Sequence, residues 1–269
     1  MTQLEQLQQV ILHIAKDVDK LCRKNGIKYY LLGGSAIGAI RHKGFIPWDD
    51  DFDIIMDAEN YDRFIEVCRT QLDNNKYYFQ EGIKDWPLPF SKVKLKGTHL
   101  KEVEGNDDSE TDGIYIDIFK MDNVANNPLI ARWQYFCGKL FLAYQLSIRT
   151  YKSASFKKQV LMLLSSPLKI RSIRQWIFNQ TIKYNKKKTD YYGFFFGRTR
   201  YHNSVVKKEL YGEPLYVPFE DTEFLIAERY HEYLTQMFGN YMQLPPEEQR
   251  KGLHLISVDF GKYATIEEK

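Results

Sequence analysis

The stretch from Leu31 to Met56 constrains this chain more than any other. It reads Leu-Leu-Gly-Gly-Ser-Ala-Ile-Gly-Ala-Ile-Arg-His-Lys-Gly-Phe-Ile-Pro-Trp-Asp-Asp-Asp-Phe-Asp-Ile-Ile-Met. The apolar and aromatic run at residues 27–32 predicts a strand that Gly33-Gly34-Ser35 breaks, followed by a short helix over residues 36–41. Glycines at such a junction let backbone approach a ligand, and a helix N-terminus offers N–H groups to a phosphate. A second strand is predicted over residues 52–56, with Asp51 and Asp53 at i, i+2 at its start. Side chains two apart on a strand face the same way. Two carboxylates so placed repel each other unless a cation lies between them, and oxygen ligands suit a hard ion such as Mg²⁺. Taken singly, Gly-Gly-Ser is an ordinary turn and Asp49-Asp50-Asp51 a solvated loop; the combination is more specific.

Around this stretch the pattern alternates helix and strand. Leu4, Leu7, Ile11, Ile14, Val18 and Leu21 predict an amphipathic helix stopped at Asn25-Gly26. A helix is predicted over residues 58–72, and strands over residues 77–80, 90–95 and 113–119. In the last, Ile114, Ile116 and Ile118 alternate with Tyr115, Asp117 and Phe119, which puts Asp117 on one face with the two aromatics. Asp122 falls beyond this strand. Residues 128–182 read as helical with a break near Pro167, and residues 223–238 as a further helix before Pro245-Pro246. This order suggests an α/β or α+β core with a helical second half.

Strand, Gly-Gly-Ser, short helix and Asp-Phe-Asp on the next strand resemble the nucleotidyltransferase superfamily, which implies an α+β fold with a mixed sheet flanked by helices. Asp117 sits where that superfamily places a third carboxylate. The run from Gly33 through Gly44-Phe45-Ile46-Pro47-Trp48-Asp49-Asp50-Asp51-Phe52-Asp53-Ile54 is closer to the LicD family of bacterial phosphocholine transferases, related to the fukutin group. Ile116-Asp117-Ile118-Phe119 with Met121-Asp122 resembles a second motif of that family, although Lys120 stands where Pro is common. Phe238-Gly239-Asn240-Tyr241-Met242, Pro245-Pro246 and His254 resemble its last motif, with Asn240 replacing a frequent Asp.

The resemblance implies transfer of phosphocholine, or a related phosphoalcohol, from a CDP-activated donor to a hydroxyl of a cell-surface glycan precursor (teichoic acid, lipopolysaccharide or capsule), with release of CMP. CDP-choline is the favoured donor, and the acceptor is expected to be lipid-linked. Asp51, Asp53 and Asp117 would hold one or two Mg²⁺ ions, with Mn²⁺ as a substitute. Gly33, Gly34 and Ser35 would cradle the donor phosphate, Arg41 and Lys43 would offset its charge, Trp48 would wall the site or hold the choline cation, and His254 would contact the nucleotide or the acceptor. His42 is a weaker candidate for general base. The expected organisation is a catalytic core at residues 1–125, a basic helical segment at 126–190 and a part at 191–269 that completes the site. Two rivals remain: a true nucleotidyltransferase moving NMP, and a non-catalytic glycan or membrane adaptor.

Charge is segregated. Residues 123–189 contain 13 Lys and Arg and no Asp or Glu, so the rest of a chain of net charge +3 carries −10. The basic residues interleave with apolar helical positions, which predicts docking to an anionic membrane surface rather than binding to nucleic acid. Cys22, Cys68 and Cys137 lack paired spacing, which argues against disulfides and a zinc site. The N-terminus lacks a signal-peptide pattern and no apolar stretch is long enough to span a bilayer. The expected location is therefore cytoplasmic, peripheral at the inner face of the membrane.

Overall fold

The structure is a computed structural model that describes residues 1–85, 88–101, 112–148, 156–197, 199–250 and 257–264, with side chains at 156–158 left aside. His254 lies outside the described residues.

Helix α1 (Gln3–Lys24) opens with a capping box in which the Thr2 hydroxyl accepts from the Glu5 N–H and the Glu5 side chain answers at the Thr2 N–H. Its apolar stripe, Leu7, Ile11, Ile14 and Val18, is fully buried. Strand β1 (Tyr30–Leu31) leads into α2 (Gly33–Arg41), β2 (Asp53–Asp57) and α3 (Ala58–Gln71). Then come β3 (Tyr77–Gln80), β4 (Ser91–Leu95), β5 (His99–Lys101) and the long β6 (Tyr115–Val124). The basic segment forms α4 (Pro128–Ile148), α5 (Phe156–Leu164) and α6 (Arg171–Ile182), with a short 3₁₀ turn at Ser166–Lys169 where Pro167 interrupts it. Strand β7 (Tyr191–Gly193), short helix α7 (Tyr201–Ser204), β8 (Val205–Lys207) and short helix α8 (Lys208–Tyr211) follow. The chain closes with β9 (Leu215–Phe219), β10 (Thr222–Ile226), α9 (Tyr230–Phe238) and β11 (Ser257–Asp259).

The main sheet runs β1-β2-β6-β4-β3, with β7 and β8 added along the far half of β6. Strands β2 and β6 are parallel; β1, β4, β3, β7 and β8 join antiparallel. This is an α+β fold with a mixed sheet flanked by helices. Helices α1 and α3 pack on the sheet, while β9 and β10 form a separate hairpin. That hairpin drives Phe219 edge-on against Phe45 and Phe52, and Phe224 against Phe52, with ring centroids 4.9–5.4 Å apart. A second buried cluster, including Cys137, Phe141, Leu168, Ile177 and Phe195, lies among α4, α6 and the segment after β7.

Three expectations need correction. Residues 223–238 do not form one helix: Thr222–Ile226 pairs with Leu215–Phe219, and α9 begins only at Tyr230. The Phe224, Leu225 and Ile226 run is fully buried, so pairing and burial outweigh the helical spacing. Gly33 and Gly34 are the first turn of α2 rather than a loop before it. Gly33 enters at φ +58°, which suits glycine. Finally, β6 continues to Val124 because β7 pairs with Asp122–Val124, so Asp122 lies inside the strand.

Candidate active site

The acidic residues converge because two parallel strands share a register. Asp53 of β2 is the direct partner of Asp117 of β6, and Lys92 of β4 is the partner of Asp117 on its other side. Backbone contacts fix this level of the sheet. The Asp53 N–H donates to Ser35 Oγ at 2.9 Å, and the Asp53 carbonyl accepts from the Leu32 N–H at 3.0 Å. The Asp117 N–H donates to the Phe52 carbonyl at 3.0 Å. Phe52 is buried in the aromatic cluster just before β2 begins at Asp53, and Asp51 lies close enough for its charge to act on the Asp53 carboxyl.

The carboxylates act on one another electrostatically. Burial holds the Asp53 carboxyl well above the usual carboxylate range, reinforced by the charges of Asp51, Asp117 and Asp49; Lys92 works in the opposite direction. Lys92 Nζ lies 3.2 Å from Asp117 Oδ1 and 3.2 Å from the centroid of the Tyr115 ring. Both members of this ion pair are largely withdrawn from solvent. Among the described residues, no trio of His, Cys, Asp or Glu is already drawn around one point. Hard carboxylate oxygens are the donor type that a hard cation such as Mg²⁺ takes.

Gly34 faces Asp49: a methyl group added there would collide with Asp49 Oδ2. The acid therefore lies against the first turn of α2, where the helix dipole is positive. Ser35 is buried, and its hydroxyl is engaged with Asp53, so its observed part is to tie α2 to β2.

The loop between α2 and β2 is pinned from outside. Gln8 of α1 donates to the carbonyls of Ile46 (3.2 Å) and Asp49 (2.8 Å). Glu220, in the β9–β10 turn, accepts from the Phe45 N–H at 2.9 Å and donates its own N–H to the Lys43 carbonyl at 2.7 Å. Lys43 and Glu220 both adopt the left-handed region, φ +56° and +52°. A side chain at Gly44 would collide with the Glu220 carboxylate. The Lys43 side chain is exposed.

Arg41 Nε donates to His42 Nε2 at 2.9 Å, and its Nη1 donates to the Tyr241 carbonyl at 2.8 Å. Burial and then the nearby Arg250 charge hold the Arg41 guanidinium below its ordinary value, while Asp49 opposes them. Burial and Arg41 likewise lower His42, whose Nε2 lone pair is already taken; it is poorly placed as a general base. The Arg250 guanidinium lies 5.6 Å from the centroid of the Trp48 ring. Asp122, by contrast, is fully buried away from this cluster, 3.4 Å from Lys120 and 2.7 Å from Asn185 Nδ2. Lys92, Gln8, Glu220 and Arg250 escape sequence reading; only the alternation of Lys92 and Lys94 with Val93 and Leu95 hints at an inward lysine.

A family model described as LicD/FKTN/FKRP, nucleotidyltransferase domain, matches residues 26–140, a span that contains all four clustered carboxylates. The chain is 33% identical over 264 residues to the lipopolysaccharide cholinephosphotransferase LicD of Haemophilus influenzae, covering 94% of this chain and 96% of that protein. An uncharacterised protein of Rickettsia typhi is 40% identical over 94 residues, 32% of this chain and 30% of its own length. With its mixed sheet, its register-matched acids and an end-to-end match to such a relative, the chain belongs to the LicD family.

Proposed function

We propose that the chain transfers phosphocholine from CDP-choline to a hydroxyl of a cell-surface glycan precursor and releases CMP. The observation that carries this reading is the 33% identity to a lipopolysaccharide cholinephosphotransferase along nearly the whole of both chains. The acidic cluster on β2 and β6 supports it, because phosphoryl transfer is mostly a matter of positioning and charge neutralisation.

Asp51, Asp53 and Asp117 would hold Mg²⁺. When bound, the ion would neutralise pyrophosphate charge and make CMP a better leaving group. Lys92 keeps Asp117 in place through its 3.2 Å contact. Arg41 and Arg250 repel each other as they stand, and an anionic donor phosphate between them would relieve that repulsion. Gly34 leaves room for Asp49 against α2, so the N–H groups of this turn and the carboxylates border the same space. Trp48 already carries the Arg250 guanidinium, so we assign it to seating that arginine rather than to the choline cation.

The test supplies the purified protein with Mg²⁺, a glycan acceptor and, separately, CDP-choline, CDP-ethanolamine, CDP-glycerol and CDP-ribitol. CMP release with a phosphocholine-bearing product from CDP-choline is the expected result. Pyrophosphate release from a nucleoside triphosphate, without turnover of any CDP-alcohol, would overturn the reading in favour of a true nucleotidyltransferase.

A further inference from the structure

We infer that the helices α4–α6 form a docking surface for an anionic lipid bilayer. Among the described residues, ten of the seventeen exposed large hydrophobic side chains fall between Leu129 and Trp176, less than a fifth of the chain. They are not scattered. Trp133 stacks on Phe136 with centroids 5.8 Å apart and touches Trp176 of α6 at 6.2 Å, so three aromatic rings from two helices form one patch. All three are exposed, Trp176 by 54%. Leu129, one turn before Trp133 on the same helix, is 74% exposed, and Leu163 of α5 is 73% exposed. Exposed rings gathered in this way on a folded chain mark an interaction site.

Charge decides the occupant. Arg132, Lys169 and Arg171 are exposed on these helices and their connection, the run Lys186–Lys187–Lys188 is exposed just after α6, and no carboxylate occurs between residues 123 and 189. A second copy would bring two such segments together, against strong like-charge repulsion. A nucleic acid would meet the cations and aromatic rings, but it has no use for exposed Leu129, Leu163 and Ile170. A bilayer with anionic headgroups satisfies both features. The cations meet the surface potential, while tryptophan and aliphatic side chains enter the headgroup and upper acyl region. No helix among the described residues is long and apolar enough to cross a membrane, so the contact is one of surface insertion.

This inference does not depend on which phosphoalcohol is transferred. The experiment uses the full chain with vesicles of phosphatidylcholine alone or with 30 mol% phosphatidylglycerol, about, at low and high salt, followed by co-sedimentation and tryptophan emission. Binding to the anionic vesicles with a blue shift is expected, along with at least tenfold weaker binding to neutral vesicles. The double variant Trp133→Glu/Trp176→Glu should lose at least tenfold in vesicle affinity while keeping wild-type turnover of a soluble acceptor. Because both rings are exposed, the melting temperature checks that the variant still folds. Three results would overturn the inference: no binding to anionic vesicles at low salt, full binding by the folded double variant, or equal binding to a soluble polyanion that the double variant retains. Concentration-dependent dimerisation abolished by the same two substitutions would assign the patch to a second copy instead.

Discussion

The sheet core and the unit built from α4, α5 and α6 treat charge in opposite ways. In the core, like charges are gathered: Asp53 sits among Asp49, Asp51 and Asp117, with Lys92 as the opposing charge. In the helical unit, like charges are spread over an exposed surface and the apolar groups beside them are left in water. Gathered charge costs stability and is held in place by register, buried aromatic rings and backbone hydrogen bonds. Dispersed charge costs little because solvent screens it. Substitutions in the core should therefore change chemistry and stability strongly, whereas charge and surface changes in the helices should be mild.

The largest effect should come from Asp53→Asn. Turnover should fall at least about 10³-fold, equivalent to about 4 kcal/mol in the barrier. In chelator, the same variant should be as stable as the wild type or more so. The sign follows from the raised Asp53 carboxyl. A carboxyl lifted above its unfolded value of 3.8 favours the fold fully only below that pH, and the advantage is lost as pH rises through the lifted value. The gain should therefore appear at neutral pH and vanish near pH 4, as thermal melts across pH can check. A variant that kept near-wild-type CMP release would remove Asp53 from the proposed metal site.

Lys92→Met should come next. It leaves Asp117 without its 3.2 Å partner in a sparsely hydrated place. Losing one member of a buried pair costs about 3–5 kcal/mol, and the residual exposure here reduces that to roughly 2–3 kcal/mol. Urea denaturation measures it, and Lys92→Met/Asp117→Asn should recover part of the loss. No recovery in the double variant would show that Lys92 acts through the Tyr115 ring instead.

Gly34→Ala separates position from stability. The added methyl must displace the Asp49 carboxylate, the end of a movable side chain. Turnover should drop about tenfold while stability changes by less than about 1 kcal/mol. A large loss of stability with unchanged turnover of the remaining folded protein would make the glycine a packing requirement only.

In the helical unit, Lys139 is the exception to dispersed charge. Burial pushes its ammonium down to about 8, and it donates to the Gly197 carbonyl. Between about 8 and the ordinary value of 10.5, the unfolded chain holds this proton more tightly than the folded one, so stability should rise with pH across that window. Lys139→Met should stabilise the protein at pH 7 by about 1 kcal/mol after the lost hydrogen bond is counted, with the gain shrinking above pH 8. Denaturation curves at pH 7 and 10 decide it. Smallest of all, Trp176→Ala should shift stability by no more than about 1 kcal/mol, the scale of an exposed aromatic contact.

Local pattern made the acids legible. Asp51 and Asp53 stand two apart at the start of a strand, and Asp117 alternates with isoleucines, so a shared face could be expected from neighbours alone. What holds them was not legible, because each contact joins distant segments. Gln8 reaches the loop from α1, Glu220 from the β9–β10 turn and Arg250 from near the end of the chain. Residues 223–238 misled for the same reason: Ile226 falls in helical spacing with Tyr230, Tyr233 and Met237, and only the pairing of Thr222–Ile226 with Leu215–Phe219 makes the first part a hairpin. The end of β6 likewise depends on β7, about seventy residues further on, which no spacing within the strand announces.

Strand β6 begins at the acids and ends at the root of the helices, with Asp117 and Val124 both within its length. At about 3.3 Å per residue, the separation along the strand is roughly 23 Å. If the helices rest on a lipid surface, β6 becomes a ruler. Were β6 to run away from that surface, the hydroxyl that receives the phosphoalcohol would stand off the bilayer by up to this distance, and a strand has almost no compliance along its axis. Acceptors would then be sorted by how far their anchored sugars extend, and a truncated lipid-linked glycan could be refused without any pocket having to recognise what it lacks.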